Sequence, residues 1–86
     1  MLDAKDFQRI SIAGKVKLLQ KDATYVTKRY FLKFEVELYT YNGYFVEIFR
    51  TLSFGEIFSI DVAPDRSVKE AYLKSIDLKA LGLSDN

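Results

Sequence analysis

Between Tyr30 and Ala63 apolar residues recur at every second position through three runs. Two glycine-ended triplets, Tyr41-Asn42-Gly43 and Ser53-Phe54-Gly55, punctuate them. Alternation of this kind suits a strand, whose side chains point to opposite faces with a period of two. Asn-Gly is a strong hairpin signal, because both residues accept the positive φ that tight turns need. The stretch predicts an antiparallel meander of three strands over residues 30–41, 44–52 and 56–63. Pro64 closes the last one by removing a backbone donor.

Register decides what each face presents. A two-residue turn at Asn42-Gly43 sets Leu38 opposite Glu47 and Glu37 opposite Ile48, mixing charge with apolar residues on both faces. A three-residue loop instead brings Leu38 beside Val46 and Val36 beside Ile48. A slip of one residue turns every side chain over, so hydrophobic consistency favours the three-residue loop. A loop of the same length at Ser53-Phe54-Gly55 places Val46 beside Val62 and Ile48 beside Ile60. One face is then expected to read Leu38–Val46–Val62, Val36–Ile48–Ile60 and Phe34–Arg50–Phe58. The other carries Glu37, Glu47 and Asp61 in a transverse row, with Tyr39, Phe45, Phe49 and Phe31 around it.

The flanks read as helices. Over residues 3–21, Asp3 suits an N-cap, and Lys15, Lys17 and Lys21 fall where the macrodipole favours cations. Phe7, Ile10, Gly14 and Leu18 share one face of that helix. Residues 24–29 form a β-like lead-in to the first strand. Ser67-Val68-Lys69-Glu70 has the form of a capping box opening a C-terminal helix, with Val68, Tyr72, Leu73 and Ile76 on its buried side. Asp77 starts a final turn that Gly82 stops. The expected fold is α+β, in the order helix, three-stranded meander, helix (αβββα), with both helices on the even-numbered sheet face. One domain spans residues 1–83, and residues 84–86 form a frayed tail.

This element order resembles that of double-stranded RNA-binding domains. That family carries a Gly-Pro-x-His type loop and a Lys-rich start to its second helix. Here those places hold Tyr41-Asn42-Gly43 and Arg66-Ser67-Val68-Lys69, so the resemblance carries topology and not function.

The 86 residues include no cysteine and no histidine. This removes disulfides, thiolate metal sites, histidine zinc ligands and the histidine-dependent nucleophile dyads. No Gly-rich phosphate loop or nucleophile elbow occurs. No run is long and apolar enough to span a bilayer, and the N-terminus lacks the pattern of a secretory signal. A cytoplasmic protein is the expectation. The net charge of +1 conceals a split: residues 1–33 hold eight Lys/Arg against three Asp/Glu, and residues 34–65 hold one against six.

Three directly opposed carboxylates repel by about 0.2–1 kcal/mol per pair, so the acidic row invites a role. It suits a solvated face, a protein-interaction surface together with Phe31, Tyr39, Phe45 and Phe49, a Ca²⁺ or Mg²⁺ site, or paired-carboxylate catalysis. The reading favoured by the aromatic neighbours is a non-enzymatic interaction module, homodimeric in its simplest form, with no cofactor, no metal and no catalytic residue. The alternative is a nucleic-acid or anionic-surface binder that uses Lys15, Lys17, Lys21, Lys28, Arg29 and Lys33.

Overall fold

The computed structural model describes residues 1–73. The expected turn from Asp77 and the tail at 84–86 lie outside them. The chain is α+β, with the elements α1 (Ala4–Arg9), α2 (Ile12–Asp22), β1 (Thr24–Phe31), β2 (Phe34–Tyr41), β3 (Tyr44–Thr51), β4 (Ile57–Ala63) and α3 (Asp65–Ala71). The four strands form one antiparallel sheet in the order β1-β2-β3-β4. Among the described residues no helix is long and apolar enough to cross a membrane.

Two expected elements split. The single N-terminal helix is two helices, because Ser11 breaks it. Ser11 adopts an extended backbone, and its hydroxyl accepts the Gly14 N–H, starting α2 afresh. Asp3 caps α1 as expected by accepting from Asp6 N–H. The long first strand is also two. The chain turns back at Leu32-Lys33, so that Phe31 pairs with Phe34 and the lead-in becomes a full edge strand. No Gly or Asn marks that turn; Leu32 itself takes a positive φ of 53°.

The register of β2 on β3 differs from expectation. Tyr41 pairs with Tyr44, Leu38 with Glu47 and Glu37 with Ile48. Asn42 and Gly43 have φ of 50° and 83°, the paired positive values of a two-residue type I′ turn. The β3–β4 register agrees with expectation at Val46–Val62 and Ile48–Ile60, then shifts at Phe49/Arg50, where a bulge brings Ile57 opposite Arg50.

The cause of the misread register is that both sheet faces are covered. Helices α1 and α2 supply Phe7 and Leu19 to a core with Tyr41, Val46, Ile48 and Ile60. Helix α3 supplies Val68 and Tyr72 to a separate core with Leu38, Phe45 and Ala63. Strand β3 is therefore buried on both sides from Phe45 to Ile48. The expectation of both helices on one face, and of an αβββα order, is corrected to helices on opposite faces of a four-stranded sheet. With two buried faces, apolar consistency on one face no longer selects a register.

The two sheet edges differ. At β4, Lys15 reaches past the strand and its Nζ donates to Ile60 O at 2.9 Å. Gln8 Oε1 accepts the Val62 N–H at 2.9 Å, and its Nε2 donates to Asp61 Oδ1 at 3.1 Å. Side chains from α1 and α2 thus take backbone groups that a further strand would use. At β1, no described side chain bonds to the strand's backbone.

Candidate functional site

The register turns Glu37 away from Glu47 and Asp61, so the acidic row does not form. Glu37 lies on the α1/α2 face, where Arg50 Nε donates to its Oε1 at 3.0 Å. Asp61 is held by Gln8 at the β4 edge. Glu47 is buried beneath α3. Among the described residues no group of three or more acidic side chains is placed to hold a metal ion.

Glu47 instead anchors α3. Tyr72, fully buried at the end of that helix, donates its hydroxyl to Glu47 Oε2 at 2.7 Å. Arg29 Nε and Nη2 reach the same oxygen, each at 3.2 Å. Burial pushes the Tyr72 phenol well up, and its hydrogen bond to Glu47 pushes the same way, so the group is a neutral donor far above neutral pH. A carboxylate receiving a phenol and a guanidinium under a helix is a structural contact; neither group faces a reactant.

The aromatic residues divide. Phe45 packs inside the α3 core, and Tyr39 lies on the other face with its ring edge-on to Tyr25 at 5.6 Å. Phe31 and Phe49 remain on the α3 face, beyond the part that α3 covers. There they join Phe34 and Phe58, which the sequence had suggested as core. Phe34 lies 5.0 Å from Phe58 and 5.9 Å from Phe49 between ring centres. Phe31 is 47% exposed and Phe58 62%. The two hairpin turns at this end add Leu32 at 80%, Leu52 at 53% and Phe54 at 83%. They are tied together, since Leu52 N–H donates to Lys33 O at 3.0 Å. The sequence signal for this cluster was present but misassigned: Phe54 in a turn and Leu32 in an unmarked one are apolar residues where polar ones are usual.

The expected basic patch is dispersed. Lys15 is buried, with its ammonium on Ile60 O and 5.7 Å from the Phe7 ring centre. Lys28 pairs with Glu35 at 3.6 Å, and Arg29 with Glu47. Lys33 lies over the Phe34 ring at 5.9 Å. Lys17 and Lys21 are exposed on α2.

Two shallow, open hollows lie on the surface, about 400 Å³ along Arg66, Lys69, Glu70 and Leu73 and about 580 Å³ along Ala4, Lys5, Gln8, Arg9 and Val62. A cleft of about 190 Å³ between α2 and the sheet is lined by Val16, Leu19, Gln20, Tyr39, Ile48, Arg50 and Ile57. That is below the roughly 300–1,000 Å³ usual for small-molecule pockets. The Arg50 guanidinium beside it is already engaged by Glu37 and by Gly55 O. No family model, curated protein or solved structure matches this chain, so no relative lends a role to any of these residues.

Proposed function

We propose that this chain is a non-enzymatic protein-interaction module that docks through the aromatic end of its α3 face, with a second copy of itself as the partner. The observation that carries the reading is the cluster of Phe31, Phe34, Phe49 and Phe58 with the apolar turn tips Leu32, Leu52 and Phe54, most of them exposed. Contiguous apolar surface of this kind on a small domain usually marks an interface, and aromatic residues are enriched at interface centres. A two-fold pairing lets one patch serve both partners. The lack of cysteine suits a reducing compartment such as the cytoplasm.

The test replaces Phe31 and Phe58 with Ser and leaves Phe45 alone, because Phe45 belongs to the α3 core. Sedimentation equilibrium should show a concentration-dependent dimer for the parent chain and a folded monomer for Phe31→Ser/Phe58→Ser. A parent chain that stays monomeric at the highest soluble concentration overturns the homodimer.

A further inference from the structure

Two turns close the aromatic end, and they carry opposite charges. Lys33 is exposed in the β1–β2 turn, with its ammonium 5.9 Å from the Phe34 ring centre. Glu56 leads out of the β3–β4 turn and is exposed as well. Phe34 pairs with Thr51, and Thr51 N–H donates to Glu56 O at 2.9 Å. Two strand spacings, roughly 10 Å, therefore lie between the cationic turn and the anionic one. The bond from Leu52 N–H to Lys33 O joins the turns into one unit. The neighbouring charges are taken: Lys28 pairs with Glu35, Arg29 with Glu47 and Arg50 with Glu37. Among the described residues no ion pair uses Lys33 or Glu56. The end is thus an apolar cluster with a cation on one side and an anion on the other.

Helix α3 occupies the same sheet face over Leu38, Phe45 and Ala63, so a partner has room only at the turn end. Two copies meeting there about a two-fold axis can set their turns in two ways. Each turn can face its own counterpart, which brings Lys33 to Lys33 and Glu56 to Glu56. Each can instead face the other kind of turn, which brings every cation to an anion. We infer that the second copy docks in this crossed arrangement, with Lys33 of each chain against the partner's Glu56. The inference rests on the interface reading and adds its orientation. Apolar contact drives association without choosing between the two settings. Charge chooses, because like charges across an interface are penalised and opposite ones fix the register. Two-fold symmetry makes the contact twice, so one substitution alters both.

The test uses the full chain and sedimentation equilibrium. Lys33→Glu and Glu56→Lys should each weaken the dimer by about tenfold or more, since two attractive contacts become two repulsive ones. The double variant Lys33→Glu/Glu56→Lys should return to within about threefold of the parent, because the pair is restored with its signs exchanged. Urea midpoints, taken at a concentration where the chains are monomeric, should be equal for the parent and the three variants. Single variants that dimerise like the parent overturn the crossed arrangement, and so does a double variant as weak as the singles. Midpoints that fall in the singles and recover in the double overturn it too, since they mark a pair within one chain. If the charge variants have no effect while Phe31→Ser/Phe58→Ser is monomeric, the orientation falls and the interface reading stands. If the charge variants behave as expected while Phe31→Ser/Phe58→Ser dimerises like the parent, the crossed pair stands and the aromatic reading falls. A parent chain that stays monomeric overturns both.

Discussion

Leu32 holds a backbone conformation, φ 53°, in which an L side chain crowds its own peptide group. Such a conformation costs about 1–2 kcal/mol for a non-glycine residue. This strained leucine is 80% exposed on a turn that glycine would suit better, and on the proposed interface reading its side chain is what offsets the strain. Leu32→Gly should raise the unfolding free energy by roughly 0.5–1 kcal/mol, measured in urea, and weaken self-association in the same sample. The tyrosines give a second expectation. Burial, then neighbouring Tyr41, Asp3 and Asp6, push Tyr44 up to about 12, and its hydroxyl donates to Leu2 O at 2.8 Å. Tyr72 and Tyr39 are raised as well, each first by burial. A phenol raised by folding keeps its proton where the unfolded chain loses it, so its contribution is whole below the ordinary tyrosine value of about 10 and is lost as pH climbs toward 12. The urea midpoint should hold steady to about pH 9 and then fall, and Tyr44→Phe should flatten part of that fall. The identities of these residues were plain in the sequence. Their partners were not, because Arg29, Glu47 and Tyr72 meet only once three separate elements have packed.

At the scale of elements, the readable signals were those written into a few adjacent residues. Asp3 marked a cap, Asn42-Gly43 marked a hairpin, and Pro64 marked a strand end. The Ser11 cap of α2 has the same chemistry, but the apolar periodicity that runs through it concealed the break. The Leu32-Lys33 turn carried no signal at all. Helix α3 begins at Asp65, with Pro64 as its N-cap and no side-chain cap bond, so the expected role of Ser67 is not filled; it sits exposed inside the first turn. The β4 edge depends on residues that look unremarkable in sequence. Gln8 touches both Val62 and Asp61, and its removal leaves an edge N–H without that partner. Gln8→Ala should cost about 1 kcal/mol in urea unfolding and speed hydrogen exchange at the Val62 amide.

Across the whole molecule, the sheet separates two cores that share β2, β3 and β4 but have no buried residue in common. Ile48→Ala empties space beneath α1 and α2, and should cost about 2–4 kcal/mol; Phe45→Ala does so beneath α3, at about 3–5 kcal/mol. The two sites share no side-chain partner, so the double variant should match the sum of the singles to within about 0.5 kcal/mol, read from urea unfolding. A coupling well beyond that would show the two cores to be one. This double coverage is also what the sequence concealed. Alternation revealed that strands exist, and the second hairpin's register followed from it between Phe45 and Phe49; nearer the turn the bulge sets Arg50 opposite Ile57 in place of Phe58. The first register was read on the premise of one buried face, and the candidate acidic row fell with that premise. The aromatic end went unrecognised for the same reason, since Phe34 and Phe58 resemble core residues until α3 is seen to stop short of them.

The unequal edges set a limit on how such a chain can assemble. If two copies ever join strand to strand, β1 is the edge that no described side chain occupies, and the product shows a β4 on each flank, with Gln8 and Lys15 already seated there. Open edges on both sides let a sheet grow without end, as in cross-β fibres. A sheet plugged on one side is a chain terminator in its own polymerisation: growth by that route stops at two.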